Sequence, residues 1–168
     1  MTFTVGLNYD YQEARNKMHK IKLSEMFDNT AHTFDKLNFH KRKLVGFTVE
    51  AAWAQYNNAP YEYRPYKHNI DDVLGYQLRG TQHLDGGLFT HQDDPNAIYI
   101  LGTVNENCDV VTFIGWSTKK RCNIPAHWRT KLNKVTLPRP AYFTSQQELW
   151  SFNLLPETKE LAAHRGAF

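Results

Sequence analysis

Apolar residues recur at helical spacing in the first third of the chain and in short alternating runs in the rest. Residues 11–27 read as a polar helix, with Met18, Ile21, Leu23 and Met26 as its apolar positions. Asp28-Asn29-Thr30 interrupts it, and residues 33–42 are expected to form a second helical piece. The strongest helical signal is 44–57, where Val45, Val49, Ala52, Trp53 and Tyr56 fall on one side. Residues 1–10 fit a short strand. Asn57-Asn58-Ala59-Pro60 ends the helical part, and a Tyr- and Pro-rich loop follows over 61–68. Beyond it, 72–81, 87–90, 97–104 and 110–116 read as strands. The turn signals Leu84-Asp85-Gly86-Gly87, Asp93-Asp94-Pro95-Asn96 and Asn105-Glu106-Asn107 separate them. Residues 124–131 suggest a short helix with Pro125 near its start. Pro138-Arg139-Pro140 precedes a last short strand at Ala141-Tyr142-Phe143, and 148–155 reads as a closing segment. The expected class is α/β or α+β, with a central mixed β-sheet flanked by helices.

At 168 residues, with 41% hydrophobic and 22% charged residues, the chain suits one domain rather than a disordered or fibrous protein. We divide it into an N-terminal helical part (1–43), a core (44–155) and a tail (156–168). No run of about 18 apolar residues is present, so a membrane helix is not expected. The N-terminus has no basic start or long apolar stretch, so a secretory signal is not expected either. Cys108 and Cys122 form no CxxC pair, which suits free thiols in a reducing cytoplasm. A net charge of +3 permits a polyanionic partner without requiring one. Arg15, Lys17, Lys20, Lys22, Lys36, Lys41, Arg42 and Lys43 lie in the helical part. Such charge forms either a solvated helix face or a surface that meets phosphate.

Two places stand out chemically. Glu50 falls on an apolar helix face, with Gly46, Phe47, Trp53 and Ala54 as its neighbours one turn away. A carboxylate there needs water, a partner or a metal. The second place is Asp72-Val73-Leu74-Gly75-Tyr76-Gln77-Leu78-Arg79-Gly80-Thr81. Strand alternation puts Gln77, Arg79 and Thr81 on one face, with Tyr76 and Leu78 on the other. A tight turn at Leu74-Gly75 would return Asp72 toward Gln77. Such a set could be the polar face of an ordinary hairpin, or a place where acid and amide oxygens meet Mg²⁺ and a cation meets phosphate.

Asp72 to Arg79 resembles the active-site signature of the PD-(D/E)XK nuclease superfamily, and more closely that of small phage-encoded endonucleases within it. Phe113-Ile114-Gly115-Trp116, Trp128 and Arg139-Pro140-Ala141-Tyr142-Phe143 follow in the same order as in that group, so the likeness runs from about Gly46 to Leu149. The resemblance implies a restriction-endonuclease-like fold and metal-dependent DNA endonuclease activity in a host cytoplasm. It makes Glu50, Asp72 and Gln77 metal ligands for Mg²⁺ or Mn²⁺, and puts Arg79 at the lysine position. DNA is the implied partner, and a homodimer is a further expectation. Two residues depart from the family pattern. Gln77 brings an amide where an acid is usual, and Arg79 stays protonated and cannot serve as a base. A nuclease-fold protein that binds nucleic acid or a host protein without cutting is therefore the alternative.

Weaker candidates complete the survey. His83 would share the Gln77–Arg79 face if the strand continued, and it could touch phosphate or lie plainly on the surface. Lys119, Lys120 and Arg121 could contact a phosphate backbone or belong to a solvated turn. Trp116 and Trp128 could stack on bases, but packing is the preferred reading. His91, Asp93 and Asp94 read as turn residues. No Gly-rich phosphate loop, Gly-x-Ser-x-Gly elbow or Cys–His nucleophile signature is present.

Overall fold

The helical spacing at the start of the chain becomes two long helices. The computed structural model describes residues 2–27, 36–62 and 73–156, with the side chains of 23–27 and 36–39 excepted. Strand β1 (Phe3–Gly6) leads into α1 (Tyr9–Phe27), and α2 spans Lys36–Tyr56. Asn8 starts α1 by accepting the Tyr11 N–H on its side-chain oxygen at 3.1 Å. Asn58 ends α2 in the left-handed region at φ 53°. The pieces expected at 33–42 and 44–57 form one helix from Lys36 onward, so the 43/44 boundary falls inside α2. Lys41-Arg42-Lys43 looked like a break because the apolar stripe fades there. Lysine and arginine are good helix formers, and the helix passes through them.

The remaining elements are β2 (Tyr76–Thr81), β3 (Leu88–Thr90), β4 (Ile98–Val104), β5 (Val110–Thr118), the single-turn α3 (Lys119–Cys122), β6 (Trp128–Leu132) and β7 (Val135–Thr144). They make two sheets. The larger has the order β1-β5-β4-β2; β2 runs parallel to β4, and the other pairs are antiparallel. The smaller sheet, β3-β7-β6, is wholly antiparallel. The expected α+β class with a mixed sheet flanked by helices holds, and the second sheet is an addition to it.

Three local expectations change. The helix expected over 124–131 is a 3₁₀ turn at Pro125–His127 followed by β6. Pro125 does start a helical turn, but Trp128, Arg129 and Thr130 suit a strand, and β7 is there to pair with them. β7 begins at Val135, well before Ala141. Its prolines, Pro138 and Pro140, sit where the register slips: residues 137–140 stand against Thr130 alone. A bulge tolerates proline because no ladder hydrogen bond is lost there. Finally, β2 begins at Tyr76, not Asp72. Leu74 and Gly75 both have positive φ (53° and 88°), and Val73 and Tyr76 exchange backbone hydrogen bonds across the turn.

The main core lies between α2 and one face of the larger sheet. Val45, Val49, Ala52 and Trp53 meet Tyr76, Leu78, Ile98, Ile100, Val111 and Phe113. Trp53 makes edge-on ring contacts with Tyr76 at 5.4 Å and Phe113 at 5.3 Å. A smaller core on the other face joins Leu88, Ala97, Tyr99, Leu101 and Cys122. All seven residues of β4 are therefore buried. Arg15 belongs to neither a solvated nor a phosphate-facing helix surface. It is 7% exposed and donates to the carbonyl of Cys108 and to Thr48 Oγ1. Among the described residues no helix is long and apolar enough to cross a membrane.

Helix α2 approaches the sheet where β2 and β4 carry glycine. A Cβ at Gly80 would stand 2.7 Å from Val49 Cγ2 and 3.2 Å from the Val45 carbonyl oxygen. Gly80→Val should therefore push the helix off the sheet and cost about 1–3 kcal/mol. Urea unfolding followed by tryptophan fluorescence checks this, and an unchanged midpoint would disprove the close approach.

Candidate functional site

Gln77 and Arg79 project from β2 away from α2. The opposite parity of the strand, Tyr76, Leu78 and Gly80, meets Trp53, Val45 and Val49 of that helix. Gln77 is buried at 4% exposure, and Arg79 is half-buried. Arg79 Nη1 reaches Gln77 Oε1 at 3.4 Å and the Leu78 carbonyl at 3.2 Å. Its guanidinium carbon lies 5.1 Å from the centre of the Tyr99 ring, which comes from the neighbouring strand β4. Alternation thus places Gln77 and Arg79 together, as expected. Thr81 has the same parity one step on.

The β3–β4 loop adds a carboxylate that the sequence reading took as a turn residue. Asp94 Oδ2 lies 3.8 Å from Arg79 Nη2 and 3.7 Å from His91 Nδ1, and it accepts the His91 backbone N–H at 2.7 Å. Lys119 holds the loop in place by donating to the carbonyls of Gln92 (2.7 Å) and Asp94 (2.6 Å). Tyr99 donates its hydroxyl to the Pro95 carbonyl at 2.5 Å. Asp94 forms a tight turn with His91, so the turn reading was right locally. Its approach to Arg79 depends on β2 and β4 being neighbours, and the Asp93-Asp94-Pro95 signal gives no hint of that.

The other candidates divide. Asp72 lies outside the described residues. Glu50 sits on α2, which covers the opposite face of β2, and it accepts the Tyr61 hydroxyl at 2.5 Å. The fold thus brings Gln77 and Arg79 together and leaves the Glu50 backbone across the sheet from them. His83 is exposed at the end of the β2 segment, where Thr81 Oγ1 accepts its backbone N–H at 3.1 Å. Lys119 is committed to the loop carbonyls, and the Arg121 guanidinium lies over Trp150 at 4.1 Å. Of these three cations, Lys120 is the exposed one. Trp116 is buried as expected. Trp128 is 44% exposed and meets the Tyr142 ring edge-on at 5.0 Å, so it packs at the boundary and not in the core.

Among the described residues no group of three or more His, Cys, Asp or Glu side chains converges. Gln77 offers one neutral oxygen, already turned to Arg79, and Glu50 lies on a helix over the other face. The described donors alone do not fit a divalent ion, which prefers several charged oxygens.

Cys122 and His127 come close without forming a nucleophile and base. Cys122 is fully buried, and burial pushes its thiol above the usual range. His127 turns Nδ1 to the Cys122 carbonyl at 2.8 Å, not to the sulfur, and Nε2 to Glu148 Oε1 at 2.9 Å. Glu148 also takes the Ser145 hydroxyl at 2.9 Å and caps the turn that follows β7. The cluster fastens the end of β7 to the α3 turn. Cys108 is likewise a buried free thiol, pushed upward by burial. Family models, curated proteins and solved structures were all compared with the chain, and none matches it.

The His127 and Ser145 bonds hold the Glu148 carboxyl below its ordinary range. A lowered carboxyl stabilises the fold above its unfolded value, and that contribution is lost as pH falls through the folded value. Thermal unfolding midpoints should therefore drop more steeply below about pH 4.5 in the wild type than in Glu148→Gln. Parallel curves for the two proteins would contradict this.

Proposed function

We propose that the chain binds nucleic acid at the Gln77–Arg79 face of β2, with Arg79 holding a backbone phosphate. The observation that carries this is the placement of Arg79 itself. It is a half-buried guanidinium presented from an edge strand, braced by Tyr99 below and Asp94 beside it. A planar fork held in one orientation suits a phosphate. At 3.8 Å the Asp94 carboxylate is an ion pair too long for a direct hydrogen bond, and it steadies the fork by its charge.

The second reading makes the chain a metal-dependent DNA endonuclease of the PD-(D/E)XK type, acting in a host cytoplasm. Glu50, Asp72 and Gln77 would then hold Mg²⁺ or Mn²⁺. Such an ion would supply a polarised phosphate and an activated water. The tight reversal at Leu74-Gly75, directly before the strand that bears Gln77 and Arg79, favours this reading. The neutral amide of Gln77 and the position of Glu50 across the sheet favour binding without cutting.

Incubation with linear, circular and branched DNA in Mg²⁺, Mn²⁺ or EDTA separates the two. We expect DNA binding that Arg79→Ala weakens at least fivefold and Arg79→Lys partly restores, since lysine keeps the charge but loses the fork. Cleavage abolished by EDTA and by Asp72→Ala would establish the endonuclease. In that case Gln77→Glu should bind Mn²⁺ more tightly by calorimetry, because it adds an anionic oxygen at nearly constant shape. Wild-type affinity in Arg79→Ala would remove Arg79 from the interface.

A further inference from the structure

The charges are sorted along the chain. From Val110 to Gln147 there are seven lysines and arginines and no aspartate or glutamate. Four of these cations, Arg129, Lys131, Lys134 and Arg139, lie on the β6–β7 pair. This ribbon projects from the smaller sheet. β3 pairs with the far end of β7, at Tyr142 to Thr144, so among the described residues the earlier part of β7 has β6 as its one strand partner. No residue from 128 to 140 is buried. The tip is a two-residue turn, Asn133-Lys134, with both residues at positive φ (48° and 67°), a geometry that matches the twist of a hairpin.

An edge strand carrying lysine is protected from pairing with another sheet, and that would account for Lys131. It does not account for the exposed apolar side chains of the same ribbon. Trp128 is 44% exposed and Val135 67%. The Trp128 ring stands edge-on to Tyr142 across the ribbon, with centroids 5.0 Å apart. Among the described residues neither Lys131 nor Lys134 has a carboxylate partner. An open aromatic ring on the same ribbon as cations without a carboxylate partner matches what unpaired bases on a phosphate backbone require.

The ribbon also connects to the Arg79 site. Arg139, in the bulge, pairs with Asp93, and Tyr142 donates to Gln92 Oε1 at 3.2 Å. Both partners belong to the loop whose next residue, Asp94, lies against Arg79.

From this the geometry points to the β6–β7 ribbon as the seat of a single-stranded nucleic-acid segment. Trp128 stacks on a base, Lys131 and Lys134 meet phosphates, and the strand leads along the 91–94 loop toward Arg79. The inference rests on the reading of nucleic acid as the partner, but not on cleavage and not on a metal.

The test uses the full chain in EDTA with a fluorescently labelled 20-mer of oligothymidylate, followed by anisotropy and by tryptophan emission. The wild type should bind with partial quenching. Trp128→Ala should weaken binding about tenfold or more and remove the quenching, and Trp128→Phe should keep most of the affinity. Lys131→Ala with Lys134→Ala should lower the slope of log affinity against log salt by about 1.4, since each lost phosphate contact on a single strand removes about 0.7. Lys131 and Lys134 are exposed, so circular dichroism and thermal unfolding of the double variant should match the wild type, and Trp128→Phe keeps a ring against Tyr142 as the control for folding of the Trp128 variants. Wild-type affinity in these variants together with lost affinity in Arg79→Ala would overturn the ribbon and leave the Arg79 proposal standing. Tighter binding of the same sequence as a duplex would overturn the single-strand assignment. Equal loss on phosphatidylserine vesicles with no oligonucleotide binding would overturn both. Oligonucleotide binding in EDTA supports the ribbon whether or not the chain cleaves DNA once Mg²⁺ is supplied.

Discussion

Strand β4 must be covered on both faces, and most of the structure follows from that requirement. Ile98 to Val104 is buried at every position. One face receives α2, brought close because Gly80 and Gly102 carry no side chain where Val45 and Val49 come down. The other face receives Leu88, Cys122 and the partly buried Leu149 from the second sheet and its connections. Burying a large apolar side chain stabilises by roughly 1.5–3 kcal/mol. A strand with two apolar faces thus calls for two covering layers, and an α-helical layer on one side with a small β-layer on the other is how this chain supplies them.

The polar features are held in position by that packing. Arg79 extends from the edge strand beside β4, over a Tyr99 ring whose hydroxyl is itself tied to the Pro95 carbonyl. Lys119, at the end of β5, grips the loop that brings Asp94 to Arg79. Arg15 is placed differently, buried between α1, α2 and the Cys108 turn, where burial lowers its pKa from the ordinary value and backbone and hydroxyl acceptors satisfy it. One guanidinium is therefore buried within the fold, and the other is half-buried beside the Asp94 carboxylate at the edge of the larger sheet.

The smaller sheet has two roles that separate along its length. Near its base, Thr144, His127 and Glu148 fasten it to the α3 turn, and Leu88 and Cys122 fill the second core. Past the bulge opposite Thr130 the strands leave that support, and their side chains face solvent. The basic residues gather on this unsupported part. Arg139 of this part pairs with Asp93 of the 91–94 loop.

The hydrophobic pattern by itself determined α1, the lower half of α2, strands β2 to β5 and the turns between them, because each depends on spacing within one segment. It also determined that Gln77 and Arg79 share a face, since strand parity is local. Tertiary structure decided the rest. The fusion of two helical pieces into α2 and the conversion of 128–132 from helix to strand required partners distant in sequence. The same holds for the approach of Asp94 to Arg79, which depends on β2 and β4 lying side by side. Glu50 shows the limit most plainly: its helix spacing marked it as an unusual carboxylate, but which face of the sheet that helix would cover was set by where Gly80 allows the backbone to come close. Local propensity is a property of a short window, whereas a site is an agreement between surfaces that meet only when the core has formed.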